Sequence, residues 1–222
     1  MKGIINSFQS MGAVDGPGLR YVIFMQGCFL RCVYCHNPDT WSMKGEEYGI
    51  EDVVKRVLRF KPYIEKSGGV TVSGGEPLLQ WEFVAELFRR LRLEGIHTAL
   101  DTSGIGSLEG AAKVLDYTDL VLCDLKFANE IDYKEKCGGD ISKVLFFLKL
   151  TEDMKVPLWV RHVVVPGLTD HEASIAQITQ IAKGFSNLEK LELLPFKKLC
   201  IPKYEALGLE FPLKDYPECP SH

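Results

Sequence analysis

Between residues 21 and 194, short apolar runs rich in β-branched residues alternate with longer stretches of helical periodicity. No other feature of the sequence limits the fold so strongly. A strand buried on both faces reads as an unbroken apolar run, as parallel sheets require, and apolar residues three and four apart mark the helices that cross between strands. Six strands are expected, at 21–26, 70–73, 97–101, 120–125, 158–165 and 190–194. Between them, Val53, Val54, Val57 and Leu58 mark one helix, Phe83, Val84, Leu87, Phe88 and Leu91 a second, and Ile175, Ile178, Ile181 and Ala182 another. Less sharply patterned helices follow Ala111 and Val144. The turns after the strands begin near Cys28, Ser73, Asp101, Asp124, Pro166 and Pro195, about 33 residues apart, against ~30 or more for one βαβ unit. A closed eight-unit barrel takes roughly 250 residues. A chain of 222 residues paced in this way has room for about six units. The expected fold is therefore α/β, an open partial (βα)6 TIM-like barrel with a parallel sheet in a single domain, 1–222. The barrel occupies about 20–195 and a C-terminal extension runs over 196–222.

Charge and composition exclude several functions. The 26 basic and 30 acidic side chains leave a net charge of −4, the wrong sign for a sequence-independent grip on nucleic acid. The opening Met-Lys-Gly-Ile-Ile-Asn-Ser has no long apolar segment, and nowhere do 18 apolar residues run together, so no signal peptide, no membrane span and a cytoplasmic location are expected. Seven cysteines in a reducing compartment point to metal or redox chemistry rather than to a disulfide framework, above all because Cys28, Cys32 and Cys35 fall within eight residues.

Three thiolates spaced CxxxCxxC can converge on one metal centre. Ordinary iron–sulfur clusters take four cysteines, so three would leave one iron with an open position, the mark of a reactive site rather than a structural one. Three other readings share these residues. Zinc could take Cys28, Cys32, Cys35 and His36; the run Cys32 to His36 satisfies the haem pattern CxxCH; and Cys123 or Cys200 could close the cluster as an electron carrier.

In parallel α/β folds the chemistry sits beyond the carboxyl ends of the strands, where this chain places its cysteines and most of its Gly, Asp and Lys motifs. Ser73-Gly74-Gly75-Glu76-Pro77 follows the second expected strand, and the paired glycines let backbone approach a ligand closely. Asp101 and Asp124 end neighbouring strands and Lys126 follows two residues on, opposite charges suited to a small zwitterion. Arg161 interrupts an apolar strand, where a buried charge needs a partner. His97 and His162 read as strand-packing residues, and Asp15-Gly16-Pro17-Gly18 as a turn.

The motifs CxxxCxxC and Ser73-Gly74-Gly75-Glu76 resemble those of the radical S-adenosylmethionine superfamily. Within it, Val14 to Arg20, Gln26-Gly27-Cys28, Tyr34 to Trp41, Gly95 to Thr98, Asp124-Leu125-Lys126, Val163 to Gly167 and Leu193-Leu194-Pro195 are similar to the activating enzymes of glycyl-radical enzymes, over about residues 4–212. The resemblance implies one 4Fe–4S cluster on Cys28, Cys32 and Cys35, with S-adenosylmethionine completing the shell of the fourth iron. It also implies reductive cleavage to methionine and a 5′-deoxyadenosyl radical, and abstraction of a glycine Cα hydrogen from a partner protein under anaerobic conditions. Nucleoside contacts fall by this likeness on Tyr34 and His36, with Leu125 and Cys35 in the same cofactor-binding set, and methionine-end contacts on Gly74, Gly75, Asp101, Asp124, Lys126 and Arg161. A monovalent cation would involve Asp101, Thr102 and Asp124, and Asp15 would meet the glycine-bearing peptide.

Residues 36–72 contain no cysteine, whereas relatives acting on other glycyl-radical enzymes often carry a cysteine-rich insertion there, so the implied partner is pyruvate formate-lyase, with flavodoxin or ferredoxin as electron donor. Two departures stand out. Where the family reads Leu-Pro-Tyr-His this chain reads Leu194-Pro195-Phe196-Lys197, which puts Lys197 in place of a nucleoside-contacting His, and the family's last amphipathic helix has no counterpart before His222, so either a shorter barrel edge or a truncated chain is expected. The alternatives are a small-molecule radical enzyme of the same superfamily and, from another class, a non-catalytic iron–sulfur electron carrier.

Overall fold

In a computed structural model of the chain, which describes residues 1–220, eight strands form one sheet: β1 (Lys2–Gly12), β2 (Arg20–Met25), β3 (Glu46–Gly49), β4 (Gly69–Gly74), β5 (Thr98–Thr102), β6 (Leu120–Asp124), β7 (Leu158–Val164) and β8 (Leu188–Pro195). Their order is β3-β1-β2-β4-β5-β6-β7-β8, so the two edges are different strands and the sheet stays open. From β2 through β8 the neighbours pair in parallel, and these six are the strands expected from the sequence, with ends shifted by one or two residues. The expected count of six strands needs correction. β1 and β3 add an antiparallel edge, β1 pairing with β2 on one side and β3 on the other. Neither looks like a buried parallel strand in sequence, because β1 alternates between buried and exposed positions and β3 is four residues, Glu46 to Gly49, with none fully buried.

The helices are α1 (Ile50–Leu58), α2 (Lys61–Ile64), α3 (Trp81–Leu93), α4 (Leu108–Leu115), α5 (Glu130–Cys137), α6 (Ile141–Asp153), α7 (Glu172–Lys183) and α8 (Ile201–Ala206). α3 buries Phe83, Val84, Leu87, Phe88 and Leu91, the stripe its periodicity predicts. α5 escaped the sequence reading because only Tyr133 and Cys137 of its eight residues are buried. Its ends are nonetheless well specified. The Asn129 side chain accepts from the Asp132 N–H at the start, and Gly138 takes the left-handed conformation at the stop, with φ 68°.

Sheet register aligns the charged ends of three strands. Asp124 on β6 stands opposite Arg161 on β7, and Arg161 opposite Glu192 on β8. In a strand successive side chains point to opposite faces. Thus Cys123 and Leu125 are fully buried on the helix side while Asp124 faces the open interior. After β8 the chain turns back, and Phe211 packs on Phe196 and on Tyr204 of α8, with ring centroids 6.2 and 5.0 Å apart. The segment is tied back to the turn after β8, where the Cys219 N–H donates to the Phe196 carbonyl at 3.1 Å; of the expected extension, residues 221–222 lie outside the described residues.

Candidate active site

At the carboxyl ends of the parallel strands lies a cleft of about 270 Å3, lined by the three clustered cysteines, the Gly74-Gly75 turn and the charged strand ends. Cys28, Cys32, Tyr34, Cys35 and His36 enter it from the loop after β2, Asp101 and Thr102 from β5, Asp124 and Lys126 from β6 and the turn beyond it, and Arg161 from β7. Residues about 130 positions apart thereby share one cavity.

Backbone hydrogen bonds on both sides hold the cysteine loop. On one side the Gly27 N–H donates to the Thr40 carbonyl at 2.8 Å and the Glu76 N–H to the Gly27 carbonyl at 2.7 Å. On the other, the N–H groups of Arg31 and Val33 donate to the carbonyls of Cys137 and Lys136 at 2.8 and 2.9 Å, so α5 braces the loop beneath Cys32. α8 fixes its far end, where Lys203 Nζ donates to Asn37 Oδ1 at 2.8 Å and Tyr204 Oη to the Cys35 carbonyl at 3.2 Å.

The glycine turn fits against this loop. A Cβ on Gly75 would stand 2.0 Å from the Gly27 carbonyl oxygen, and one on Gly74, at φ +108°, 2.4 Å from the Met25 nitrogen. Neighbouring backbone therefore already demands both glycines. Glu76, next in the turn, is fully buried and missed as a site residue by sequence reasoning. Its carboxylate accepts from the N–H of Leu78, the hydroxyl of Thr102 at 2.6 Å, and both the N–H and hydroxyl of Ser103. A carboxylate closing a Gly-Gly turn was the available signal.

The charged groups form a partly neutralised network. Lys126 Nζ donates to Asp124 Oδ2 at 2.9 Å, and although burial works against its charge, Asp124 helps hold the ammonium well above the usual lysine range. Arg161 Nε donates to Glu192 Oε2 at 2.9 Å, its Nη2 donates to the Val14 carbonyl at 2.6 Å, and its Nη1 stands 3.7 Å from Asp101 Oδ2. Asp101 also accepts from the Ser73 hydroxyl at 2.7 Å. Burial pushes the Asp101 carboxyl up to about 6, against the pull of Arg161 and with the repulsion of Asp124. A dry carboxylate, a lysine and an arginine at one wall match a ligand carrying both ammonium and carboxylate.

Three expected site residues stand apart from the cleft lining. The Leu125 side chain is in the core, its N–H donating to the Arg161 carbonyl at 2.9 Å and its carbonyl accepting from His162 Nδ1 at 2.8 Å. Lys197 turns its ammonium to the Cys219 carbonyl at 2.7 Å, and its own carbonyl meets His36 Nε2 at 2.7 Å. Asp15 is absent from the cleft lining, its carbonyl accepting from the Thr71 hydroxyl at 2.6 Å and its side chain feeling the charges of Arg161 and Arg20. His97 is not simple packing, since its Nδ1 accepts from the fully buried Arg20 at 3.2 Å.

The donor set separates a single ion from a cluster. Among the described residues no three or more His, Cys, Asp or Glu side chains gather tightly enough to hold one metal ion. A cubane asks for something else, since each cysteine binds a different iron and the sulfurs stand apart around it. One buried donor points the same way. Trp41 Nε1, on the lining of the same cleft as Cys35, has no hydrogen-bond partner. A thiolate on a cluster would supply the acceptor it lacks. The fourth-ligand candidates Cys123 and Cys200 are both buried outside the cleft lining.

A family model described as the radical SAM superfamily matches residues 22–177. A pyruvate formate-lyase-activating enzyme of Clostridium pasteurianum is 49% identical over 215 residues, 96% of this chain and 90% of that protein. The chain belongs to this radical SAM family. A second member, the pyruvate formate-lyase-activating enzyme of Staphylococcus epidermidis, is 42% identical over 224 residues, covering 97% of this chain and 89% of the relative. Among solved structures, a domain of the pyruvate-formate lyase-activating enzyme of Bacteroides vulgatus superposes with a TM-score of 0.55 at 26% identity, over 64% of this chain and 96% of that one. SuiB of Streptococcus suis, crystallised with its precursor peptide SuiA, reaches 0.63 at 14% identity over 78% of this chain and 38% of its own, a likeness of fold alone. The open partial barrel is thus the architecture of radical SAM family members.

Proposed function

We propose that the chain is a [formate-C-acetyltransferase]-activating enzyme, which makes the glycyl radical of pyruvate formate-lyase under anaerobic conditions. One observation carries the reading: a three-thiol loop and an ammonium-and-carboxylate site meet in a single cleft of a chain that is 49% identical to a pyruvate formate-lyase-activating enzyme. Cys28, Cys32 and Cys35 would hold a 4Fe–4S cluster. Bound there, the cluster supplies the electron that splits S-adenosylmethionine into methionine and the 5′-deoxyadenosyl radical used on the glycine.

The chain's own groups orient and shield. Asp101 and Asp124, with the bare backbone of Gly74 and Gly75, suit the methionyl ammonium, while Lys126 and Arg161 suit its carboxylate. Tyr34 and His36 flank the nucleoside side; His36 is steadied by the Lys197 carbonyl, so Lys197 contributes through its backbone. A monovalent cation belongs with Asp101, Thr102 and Asp124 in the same reading. Asp15 is assigned to the glycine-bearing peptide, since the Val14–Asp15 backbone is tied to the cleft wall through Arg161 and Thr71. The barrel over 20–195 and the extension beyond it act as one unit, reduced by flavodoxin or ferredoxin in the cytoplasm. Seven cysteines left as free thiols support a reducing location, and among the described residues no helix is long and apolar enough to cross a membrane.

The test is anaerobic reconstitution with iron and sulfide, reduction, and addition of S-adenosylmethionine with and without pyruvate formate-lyase. Formation of 5′-deoxyadenosine together with a radical on the partner is expected. Cleavage that leaves every added glycyl-radical enzyme unmodified would favour a small-molecule substrate, and no cleavage would favour an electron carrier.

A further inference from the structure

Among the described residues, four buried side-chain polar atoms have no hydrogen-bond partner, and Trp41 Nε1 is the one whose residue lines the cleft. Burying an indole N–H without an acceptor is costly. The ring is nevertheless held in place. The backbone N–H of Trp41 donates to the Pro38 carbonyl at 3.2 Å and its carbonyl accepts from the Cys28 N–H at 3.4 Å, Tyr204 packs on the ring edge-to-face at 5.9 Å, and the Arg31 guanidinium lies 5.0 Å from the ring centroid. No atom, sulfur included, is placed to accept from Nε1, and the Cys35 sulfur, which lines the same cleft, is the group the indole acts on. A neutral thiol is a poor acceptor, whereas a metal-bound thiolate is a charged one.

The three clustered cysteines differ in this respect. Cys28 is approached by the backbone N–H of Leu30 and Cys35 by the backbone N–H of Asn37 together with the Trp41 indole, whereas the Cys137 thiol beside Cys32 donates nothing to it. Hydrogen bonds to ligand sulfurs are one of the levers that set an iron–sulfur potential, because a donor favours the more negative, reduced state. We propose that Trp41 is a positioning residue for the cluster, its indole N–H donating to the Cys35 sulfur and raising the reduction potential so that the electron donor can load it. This rests on the cluster assignment made under the proposed function.

The experiment uses the full chain, reconstituted, as wild type and as Trp41→Phe, each grown with 15N-indole tryptophan. Trp41→Phe keeps an aromatic ring and removes only the N–H and part of the ring edge. At a fixed solution potential the reduced-to-oxidised ratio of the cluster is expected to fall three- to tenfold in the variant, tenfold corresponding to ~59 mV for one electron. Pulsed EPR of the reduced wild type should show a 15N coupling that the variant lacks. An unchanged ratio in a variant that holds a full cluster, or a wild type without 15N coupling, overturns the proposal. Should the variant fail to fold or to hold iron, the wild-type coupling decides alone. If the wild type forms no cluster whose EPR signal changes on adding S-adenosylmethionine, the underlying assignment has failed instead.

Discussion

The Glu76 carboxylate accepts both the N–H and the hydroxyl of Ser103, tying the turn after β4 to the turn after β5. With Thr102 and Leu78 it collects four donors, so the Gly74-Gly75 backbone and the end of β5 move as one piece. Burial raises the Glu76 carboxyl above its usual range while the Ser103 and Thr102 hydroxyls pull it back.

Replacing Glu76 by Gln puts an NH2 group where two donors already point. The expected cost is about 3 kcal/mol of stability, the order found when a buried charged acceptor is removed. Urea unfolding of the two proteins measures it, and a difference below about 1 kcal/mol would mean that this carboxylate does not organise the turns.

Arg161 serves Glu192, the Val14 carbonyl and Asp101 with separate nitrogens, a division that a lysine ammonium cannot reproduce. Arg161→Lys is expected to raise the KM for S-adenosylmethionine at least about tenfold, or ~1.4 kcal/mol, with a smaller change in kcat. Steady-state 5′-deoxyadenosine formation gives both constants. A wild-type KM in the variant would remove Arg161 from the cofactor site.

The cysteines divide into two groups. Alanine at Cys28, Cys32 or Cys35 should abolish cluster binding and cofactor cleavage. Cys219, whose thiol donates to the Val164 carbonyl at 3.2 Å, should tolerate alanine with full iron content and a loss of about 1 kcal/mol at most. Iron and sulfide analysis of the four variants distinguishes the groups, and an iron-free Cys219→Ala protein would contradict the three-ligand assignment.

His97 accepts from Arg20, which is buried beside the Asp15 loop. Burial and the Arg20 charge both hold the imidazole below its ordinary value. The unfolded chain therefore takes up the proton first as pH falls, and the stability contributed by neutral His97 is complete above about pH 6.5 and lost on acidification below it. The melting temperature is expected to fall from about pH 7.5 to about 5.5, and to fall less in His97→Gln. Equal slopes for the two proteins would exclude His97 as the acid-sensitive group.

The parallel strands were legible because β2 and β4–β7 are buried along nearly their whole length, and such strands leave continuous apolar runs. β1 and β3 were not, since an edge strand half in solvent carries polar residues such as Asn6, Ser7, Glu46 and Glu47 that also suit loops. At the site, the cysteine spacing and the charges at strand ends were readable because register alone brings strand ends together. Glu76 and Trp41 were not, because Glu76 matters through Thr102 and Ser103, 26 and 27 residues on, and Trp41 through the cleft it lines, which only packing determines. The side chain of Lys197 was placed at the cofactor by position in the motif, yet its ammonium is drawn to the Cys219 carbonyl by the fold of the C-terminal segment.

The central claim is that the polypeptide leaves one iron for S-adenosylmethionine to complete. ENDOR on the reduced, reconstituted protein with S-adenosylmethionine labelled by 15N in the amino group and 17O in the carboxylate tests it most directly. Strong coupling of both labels to the cluster is expected, and it should vanish in Cys32→Ala for want of a cluster. An intact cluster that couples to neither label, its fourth iron held by a protein sulfur, would contradict the account.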